Sequence, residues 1–360
     1  MSPLRPLSIS LMVVVLPLQR LTPQQASDFT LRGSVVTAET SEPVAYAIVE
    51  VNGLAPRLTD ETGHFQVVAL RAGTYHFVVR QIGYLPFDST IAIPAAPVLI
   101  RLKRLGVLLS AVTVNGTGEC RRPGPPDAAV TPALATIFEQ LVTNARRMRL
   151  LADEFPHTAF VLRTLTDTPL PVGPIKTGTD TLTQRSMDKW PYRPGHVVGR
   201  TAYNEDFSGR RILTPRDDQD LVRLPTLIDF ADSSFVATHC FQLVGRDTLD
   251  GGTFMRIEFR PSVRIKTSDV SGGAYLDSAT YMIRYTAVDL THPGQGVPGL
   301  IFLRATSRFR EVAPGILVTD RIRAQSRGLT NQLTDRNQLF DRTEEQQLLE
   351  VHFIRRPPGP

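Results

Sequence analysis

Short apolar runs alternate with polar residues along the first third of the chain, a pattern that predicts β-strands. In one run, Tyr75, Phe77 and Val79 fall on one face of an extended chain. Gly63 and Gly73 end turns between runs, where a positive φ is needed. The predicted strands are Leu31–Val36, Ala47–Val51, Phe65–Leu70, Tyr75–Arg80 and Val98–Leu102. Together they predict a small antiparallel β-sandwich.

Several motifs follow one another in this region. Gly33–Val36 leads to Ala47–Val51, Thr59–Phe65 reads T-D-x-x-G-x-F, and Leu70–Tyr75 reads L-x-x-G-x-Y before Ile82–Tyr84. In this order they resemble carboxypeptidase regulatory-like domains. The resemblance implies a transthyretin-like or carbohydrate-binding-like β-sandwich at the front of an exported or outer-membrane protein. It implies no peptidase activity, because the sandwich of that family is an accessory beside the catalytic zinc domain.

A long helix is predicted after the sandwich. Thr131 offers a hydroxyl cap and Pro132 suits the first helical position, while Pro156 ends the helix. Arg146, Arg147 and Arg149 lie away from the centre of the apolar stripe. The width of the stripe indicates packing on a sheet. Its members recur at three- and four-residue steps: Leu134, Ile137, Phe138, Leu141, Ala145, Met148, Leu151, Ala152 and Phe155.

Strand patterns dominate the remainder of the chain. Pro169–Gly195 is expected to be mostly loop or hairpin, and Glu345–Ile354 a strand or a helix. The fold class is therefore mainly β: an N-terminal antiparallel sandwich, then an α+β domain of one long helix on a large antiparallel sheet. The predicted strands are Ala159–Thr166, Phe241–Arg246, Phe254–Arg260, Gly273–Leu276, Tyr281–Val288, Ile301–Arg310 and Ile316–Ala324.

One hairpin of this second domain, Tyr275–Tyr281, looks like the W-L-D-x-x-T turn of LolA-like lipoprotein carriers of the envelope. In those proteins a curved sheet wraps a helix and can shelter acyl chains. A carrier of this kind requires an open apolar cavity between Leu134–Phe155 and the sheet.

Four segments follow from these patterns: a signal peptide at 1–26, a sandwich at 28–115, a Pro/Gly-rich linker at 116–130 and a helix-plus-sheet domain at 131–356. The export signal is predicted from Arg5, the apolar run Leu7–Leu18 and the small residue Ala26. That run is shorter than the ~20 apolar residues of a membrane helix. The protein is therefore expected in the periplasm or at the outer membrane, and not as an integral membrane protein.

The chain has two cysteines, Cys120 in the linker and Cys240 in the second domain. In an oxidising compartment two thiols usually pair, and such a bridge would pin the linker to the second domain. The alternative is two unrelated buried thiols.

Composition and motifs exclude several functions. The net charge is +5 and acidic residues are interspersed among the 40 basic ones, so a nucleic-acid footprint is not expected. HExxH, GxSxG and phosphate-loop motifs do not occur. Asp217–Asp220 suits a solvated turn better than a calcium loop. The one tryptophan, Trp190, lies outside the sandwich, so an aromatic platform for a sugar is not evident there. We therefore predict no catalytic, cofactor-binding or metal-binding residues.

Arginines recur on the polar side of several predicted strands. They could form a patch for anionic envelope polymer or lipid headgroups. The alternative is a solvated sheet face balanced by Glu258, Glu311 and Asp320. The arginines are Arg256, Arg260, Arg304, Arg308, Arg310, Arg321 and Arg323.

Three functional hypotheses follow. The first is a non-catalytic exported envelope protein that acts in binding or assembly, with envelope polysaccharide, lipid or an outer-membrane protein as partner. The second is a periplasmic carrier that shelters a lipid or another apolar ligand in the second domain. The third is a hydrolase without a familiar motif, which would need ionisable side chains converging in a deep pocket of the second domain.

Overall fold

The computed structural model of the chain describes residues 28–106, 118–186, 191–201, 204–205, 211–212, 219–331, 335–355 and 357. Strands make up 53% and helices 14% of the structure. The predicted mainly-β class is confirmed, with sheets in the N-terminal region and a large antiparallel sheet with one long helix after them. The expected signal segment, Trp190, Asp217 and Asp218 lie outside the described residues.

Two sheets form the N-terminal sandwich, with strand orders β4-β1-β7 and β3-β2-β5-β6. All five predicted strands are present, and β3 and β6 were not predicted. Strand β7 runs parallel to β1, so the sandwich is not antiparallel throughout. The strands are β1 (Phe29–Thr37), β2 (Ile48–Val51), β3 (Arg57–Leu58), β4 (His64–Leu70), β5 (Gly73–Arg80), β6 (Phe87–Ile93) and β7 (Val98–Leu102).

The inward residues of both sheets form the core of the sandwich. Val35, Phe77 and Val79 are fully buried there. His64 and His76 lie on β4 and β5, which belong to different sheets and are not neighbours. The chain crosses from one sheet to the other between these two strands, so the two imidazoles do not form a cross-strand pair.

Helix α1 (Pro132–Glu154) has nearly the bounds that its apolar stripe predicts. The expected hydroxyl cap is wrong, however. The Thr131 hydroxyl donates to the Asp127 carbonyl oxygen at 3.1 Å and makes no cap to the helix. Pro132 still occupies the start of the helix, where its missing N–H costs no intrahelical hydrogen bond.

The large sheet of the second domain has nine strands, in the order β14-β15-β16-β17-β18-β19-β20-β8-β9. The segment predicted as strand or helix is the strand β20, and part of Pro169–Gly195 forms β9, which pairs with β8 as a hairpin. These strands are β8 (His157–Leu170), β9 (Lys176–Arg185), β14 (His239–Leu249), β15 (Gly252–Pro261), β16 (Asp269–Asp277), β17 (Ile283–Thr291), β18 (Phe302–Ala313), β19 (Ile316–Asn331) and β20 (Asp335–Phe353).

Smaller elements lie between β9 and β14 and before β18. Strands β10 and β13 form one pair and β11 and β12 another. None of the short helices was predicted, because each is too short to show a 3.6-residue period. The elements are β10 (Val198–Thr201), β11 (Asn204–Glu205), β12 (Arg211–Ile212), β13 (Gln219–Val222), a 3-10 helix (Leu227–Ala231), α2 (Ser233–Thr238) and α3 (Pro293–Gly296).

Helix α1 is covered by the sheet on one side. Ile137, Leu141 and Ala145 are fully buried and belong to the same core as Ile257 and Ile283 of the sheet. These side chains fill the space between helix and sheet.

The sandwich covers a second side of α1. Ile82 of the sandwich joins the same apolar core. Arg80 donates to Glu139 at 2.6 Å, and Arg146 donates to Glu50 at 3.0 Å. The helix therefore lies between the two parts of the protein and contacts both.

Two buried amides on successive turns of α1 bond to different neighbours. The Gln140 side chain accepts the Gly83 N–H of the sandwich at 2.7 Å. The Asn144 side chain donates to the Tyr281 carbonyl at 2.9 Å and accepts the Ile283 N–H at 3.0 Å. Asn144 is 1% exposed. Water therefore cannot replace its side chain as the hydrogen-bond partner of these two backbone groups.

Cys120 and Cys240 form the disulfide expected from the sequence, with a Cα–Cα distance of 5.5 Å. Backbone hydrogen bonds support it: Gly124 N–H donates to the His239 carbonyl at 2.9 Å and Val263 N–H to the Cys120 carbonyl at 3.0 Å. The segment before α1 is thereby held against β14 and the end of β15.

Replacing both cysteines by serine is expected to lower the free energy of unfolding by about 4–5 kcal/mol, because the bridge closes a loop of more than a hundred residues in the unfolded chain. Urea unfolding of the oxidised protein and of the C120S/C240S variant measures the difference. The reduced parent protein is the control and should unfold at the midpoint of the variant. A difference below about 1 kcal/mol would show that the bridge does not restrain the unfolded chain in this way.

Replacing Asn144 by alanine is expected to destabilise the protein by about 2–4 kcal/mol, since it leaves a buried N–H and a buried carbonyl without their partner. Thr136→Ala is the control, because among the described residues the hydroxyl of the half-exposed Thr136 donates only to the Pro132 carbonyl of its own helix, and its expected change is within ±0.5 kcal/mol. Equal effects of the two substitutions in chemical denaturation would contradict a special role for Asn144.

Candidate functional site

A cavity of about 1620 Å³ lies between the sandwich and the C-terminal half of α1. We call it the groove. Residues of β1, β3 and β4 and the turn 59–62 line its sandwich wall. Residues of α1 line the opposite wall, with Ile228 and Ala231 of the 3-10 helix beside them.

The helix wall of the groove carries Arg146, Arg149, Leu150 and Asp153, which lie on one face because they are three and four residues apart. Arg146 is held by Glu50. Arg149 and Asp153 are exposed, and neither has an ionic partner among the residues that the structure describes. This wall therefore presents one free positive and one free negative charge.

The sandwich wall carries Arg32, Arg57 and Glu61, all exposed. Within the described ranges these three side chains also have no ionic partner. Asp60 differs, because its carboxylate accepts the N–H groups of Thr62 and His64, each at 2.9 Å. Partial burial raises the pKa of Asp60, but these hydrogen bonds outweigh it and the pKa is lowered overall.

Arg147 lies at the junction of the sandwich, α1 and the β18–β19 turn. Burial lowers the pKa of its guanidinium to about 10, against the opposing effect of Glu311. Its Nη1 donates to the Gln81 side chain at 3.0 Å. Gly315 has a φ of +76°, and a Cβ there would lie 2.1 Å from Nη2, so the positive φ and the close guanidinium both favour glycine at this position. The sequence pattern placed Arg147 outside the stripe and gave no sign that its guanidinium is buried.

The junction also holds the buried phenol of Tyr46. Burial raises the pKa of this phenol, and nearby Glu61 adds to the shift. The Tyr46 hydroxyl and Arg147 Nε are both buried without a hydrogen-bond partner in the described part of the chain. The geometry fits a role for Arg147 in fixing the wall of the groove, since its side chain contacts the sandwich as well as its own helix.

A second cluster of ionisable groups, around Asp269, lies inside the sheet domain. The Asp269 carboxylate accepts the Tyr192 hydroxyl at 2.7 Å, the Gly195 N–H at 2.9 Å and the Val270 N–H at 2.7 Å. His239 Nε2 lies 3.8 Å from Asp269 Oδ1, the oxygen that accepts the Val270 N–H. Both the Asp269 and His239 side chains are 0% exposed.

This buried cluster is closed to solvent. Burial raises the pKa of the Tyr192 phenol, and the Asp269 carboxylate raises it further. Burial lowers the pKa of His239, and Asp269 opposes that shift. A bidentate ion pair of Arg223 and Asp229, at 2.7 and 2.8 Å, lies beside Tyr192. Because these residues are buried and none of them lines the groove, the arrangement suits fold stabilisation rather than chemistry on a substrate.

The predicted arginines lie on the outer face of the nine-stranded sheet, in two groups. Arg256 and Arg260 are on β15, and β16 and β17 separate them from the others on β18 and β19. Arg321 lies directly opposite Arg308 and is exposed, and it makes no ion pair with a carboxylate of the described residues. The remaining arginines contact carboxylates: Arg256 and Arg260 with Glu258, Arg304 with Asp289, Arg308 and Arg310 with Asp320, and Arg323 with Glu345.

These contacts give the outer face both signs of charge, as the alternative of a balanced, solvated face describes. Contact with an anionic polymer or lipid surface stays a prediction for this face. No group of three His, Cys, Asp or Glu side chains in the described residues could hold a metal ion. No described helix is long and apolar enough to cross a membrane.

Comparison with known proteins places one part of the chain in a family. Residues 30–103 match the family model of the carboxypeptidase regulatory-like domain. The N-terminal module is therefore the one that its motifs predicted. No curated protein matches the chain.

Solved structures give remote matches. A streptococcal ancillary pilin is 18% identical over 22% of this chain and 30% of its own length, with a TM-score of 0.19. A DUF1329 family protein of Desulfovibrio piger is 12% identical over 60% of this chain and 93% of its own, with a TM-score of 0.30. A LolA superfamily protein of Nitrosomonas europaea is 13% identical over 61% and 94%, with a TM-score of 0.28. The LolA-like class suggested by Tyr275–Tyr281 is thus among the structural neighbours.

Replacing Tyr192 by phenylalanine is expected to destabilise the protein by about 1.5–3 kcal/mol, because it removes a hydrogen bond to a buried carboxylate. The matched control is Tyr285→Phe, which removes a hydroxyl bond of 3.0 Å to the exposed Asp250. Its expected cost is below about 0.5 kcal/mol. Urea unfolding compares the two, and equal costs would contradict the view that burial makes the Asp269 cluster a stabilising element.

Proposed function

We propose that the protein is a non-catalytic, exported component of the bacterial cell envelope, periplasmic or associated with the outer membrane, that binds another envelope component in the groove. The regulatory-like domain supports this proposal, because that module is an accessory in its family. The disulfide between Cys120 and Cys240 supports an oxidising compartment.

The distribution of charge carries the choice of the groove. Arg32, Arg57, Arg149, Glu61 and Asp153 line one cavity, and none has an ionic partner among the described residues. On the outer sheet face, in contrast, most arginines already contact carboxylates. Free charges in a concave site can bind a partner without first breaking an internal ion pair.

The carrier hypothesis needs a cavity between α1 and the sheet. Ile137, Phe138 and Leu141 fill that space with buried side chains, so a lipid would have to displace them. We therefore place the binding site in the groove. A hydrolase would require the Asp269 cluster to open to solvent, and its full burial favours a binding role for the protein instead.

The proposal predicts that opposite charges in the groove abolish binding. The source cell envelope is separated into polysaccharide, lipid and protein fractions, and binding of each fraction to the purified oxidised protein is measured. Arg57→Glu with Arg149→Glu should weaken binding of one fraction at least tenfold. Arg321→Glu with Arg323→Glu on the outer face is the matched control and should leave binding within twofold.

The reverse result, with loss only in the outer-face variant, would contradict the proposal and favour the arginine face. Fractionation of cells provides a check on location: the mature protein should be in the envelope with Cys120 and Cys240 oxidised. A cytosolic protein with both thiols free would also contradict the proposal.

A further inference from the structure

We infer that the groove takes an extended polypeptide segment of another envelope protein, which adds as a strand to the open edge of β4. This inference rests on the proposed function of the groove and names the class of its ligand. Three observations support it: the edge of β4, the absence of guarding residues along it, and the size and charge of the groove.

Strand β4 is at the edge of its sheet and pairs only with β1 among the described strands. His64 and Gln66 line the groove. The N–H and carbonyl groups of His64 both bond to Asp60 rather than to β1. Because backbone groups alternate in direction along a strand, those of Gln66 point the same way, toward the open side. An incoming strand can therefore pair with Gln66, and the regular part of β4 ends at Val67, where a bulge opposite β1 begins.

The side chains of β4 do not protect this edge. Natural edge strands are blunted by lysine, proline, inward charges or β-bulges. His64–Leu70 has no lysine, proline or charged side chain, and Val68 is 42% exposed. A bulge opposite β1 lies between Val67 and Leu70, so the part of the edge left without any of these devices is His64–Val67. The far edge of the large sheet is different, since β9 carries Lys176, Asp180 and Arg185. An edge without charged or proline side chains beside a cavity is the arrangement found where a peptide adds to a sheet.

The groove is also large and carries both signs of charge. Its volume of about 1620 Å³ exceeds the roughly 300–1,000 Å³ typical of small-molecule sites. Arginines and carboxylates without ionic partners among the described residues both line it, which suits a polypeptide with both acidic and basic side chains. An anionic polysaccharide or lipid headgroup would meet five carboxylates: Glu50, Asp60, Glu61, Asp153 and Glu154.

The aromatic residues of the groove favour a polypeptide over a neutral sugar. Tyr46, Phe65 and Phe155 line it, but each is less than 9% exposed. They therefore offer no open ring face for stacking, whereas backbone pairing at β4 needs none. The geometry at this site is thus explained best by strand addition.

A displayed library of random 12-residue peptides tests the inference with the full-length oxidised protein. Selected peptides should bind, and Gln66→Pro should weaken them at least tenfold, because proline removes the outward N–H. Proline with its nitrogen facing solvent is tolerated on an edge strand, so the fold should persist. N-methylation along the peptide should weaken binding at every second residue, since alternate backbone groups face β4.

Val68→Lys is a second variant that keeps the test valid if Gln66→Pro fails to fold, and it too should weaken binding at least tenfold. Thr179→Lys on the β9 edge is its control and should bind as the parent does. A library that gives no binder, binding insensitive to Gln66→Pro and Val68→Lys, or no two-residue period in the methylation scan would overturn the inference.

The two proposals can fail separately. If the β4 variants bind the envelope fraction normally while Arg57→Glu with Arg149→Glu does not, the groove is the site but strand addition is wrong. If the groove charge variant also binds normally, the proposed function itself is wrong.

Discussion

Helix α1 forms buried hydrogen bonds with two neighbours, the sandwich and the sheet, through the side chains of Gln140 and Asn144. The two amides are one turn apart, yet Gln140 bonds to the backbone of the sandwich and Asn144 to the backbone of the sheet. Both are buried, so each bond is made where water cannot replace it. The position of the sandwich relative to the sheet, and with it the groove, depends on these contacts.

The same helix separates closed from open regions of the protein. Toward the sheet, Ile137 and Leu141 fill the interface. In its C-terminal half the helix lines the groove, and Arg149 and Asp153 are exposed there. Ionisable groups thus occur in two settings: the Asp269 cluster, where every charge is buried and bonded, and the groove, where several charges are free. Exposed charges without partners can bind another molecule, whereas buried and hydrogen-bonded charges stabilise the fold.

Much of the architecture could be predicted from local patterns. Alternation and turn glycines predicted the strands of the sandwich, and the three- and four-residue steps from Leu134 to Phe155 predicted α1. Strand β6 was missed although Phe87, Ser89 and Ile91 alternate with more exposed neighbours, because the polar residues 88–90 interrupt its apolar run. The disulfide could be predicted since only two cysteines were present.

The groove could not be predicted in the same way. Arg149 and Glu61 are far apart in sequence, and nothing local indicates that their elements form two walls of one cavity. Arg147 and Asn144 appeared as ordinary helix residues, because a helical period shows which face is apolar but not how many faces are covered. Alternation predicted that the outer-face arginines share a polar face, but their carboxylate partners on neighbouring strands depend on sheet order.

Helix α1 joins the sandwich and the sheet into one cooperative body and fixes the groove between them. Differential scanning calorimetry of the oxidised full-length chain can test this cooperativity. We expect a single transition whose calorimetric and van't Hoff enthalpies agree. Two separate transitions, with the sandwich melting independently of the sheet, would contradict it.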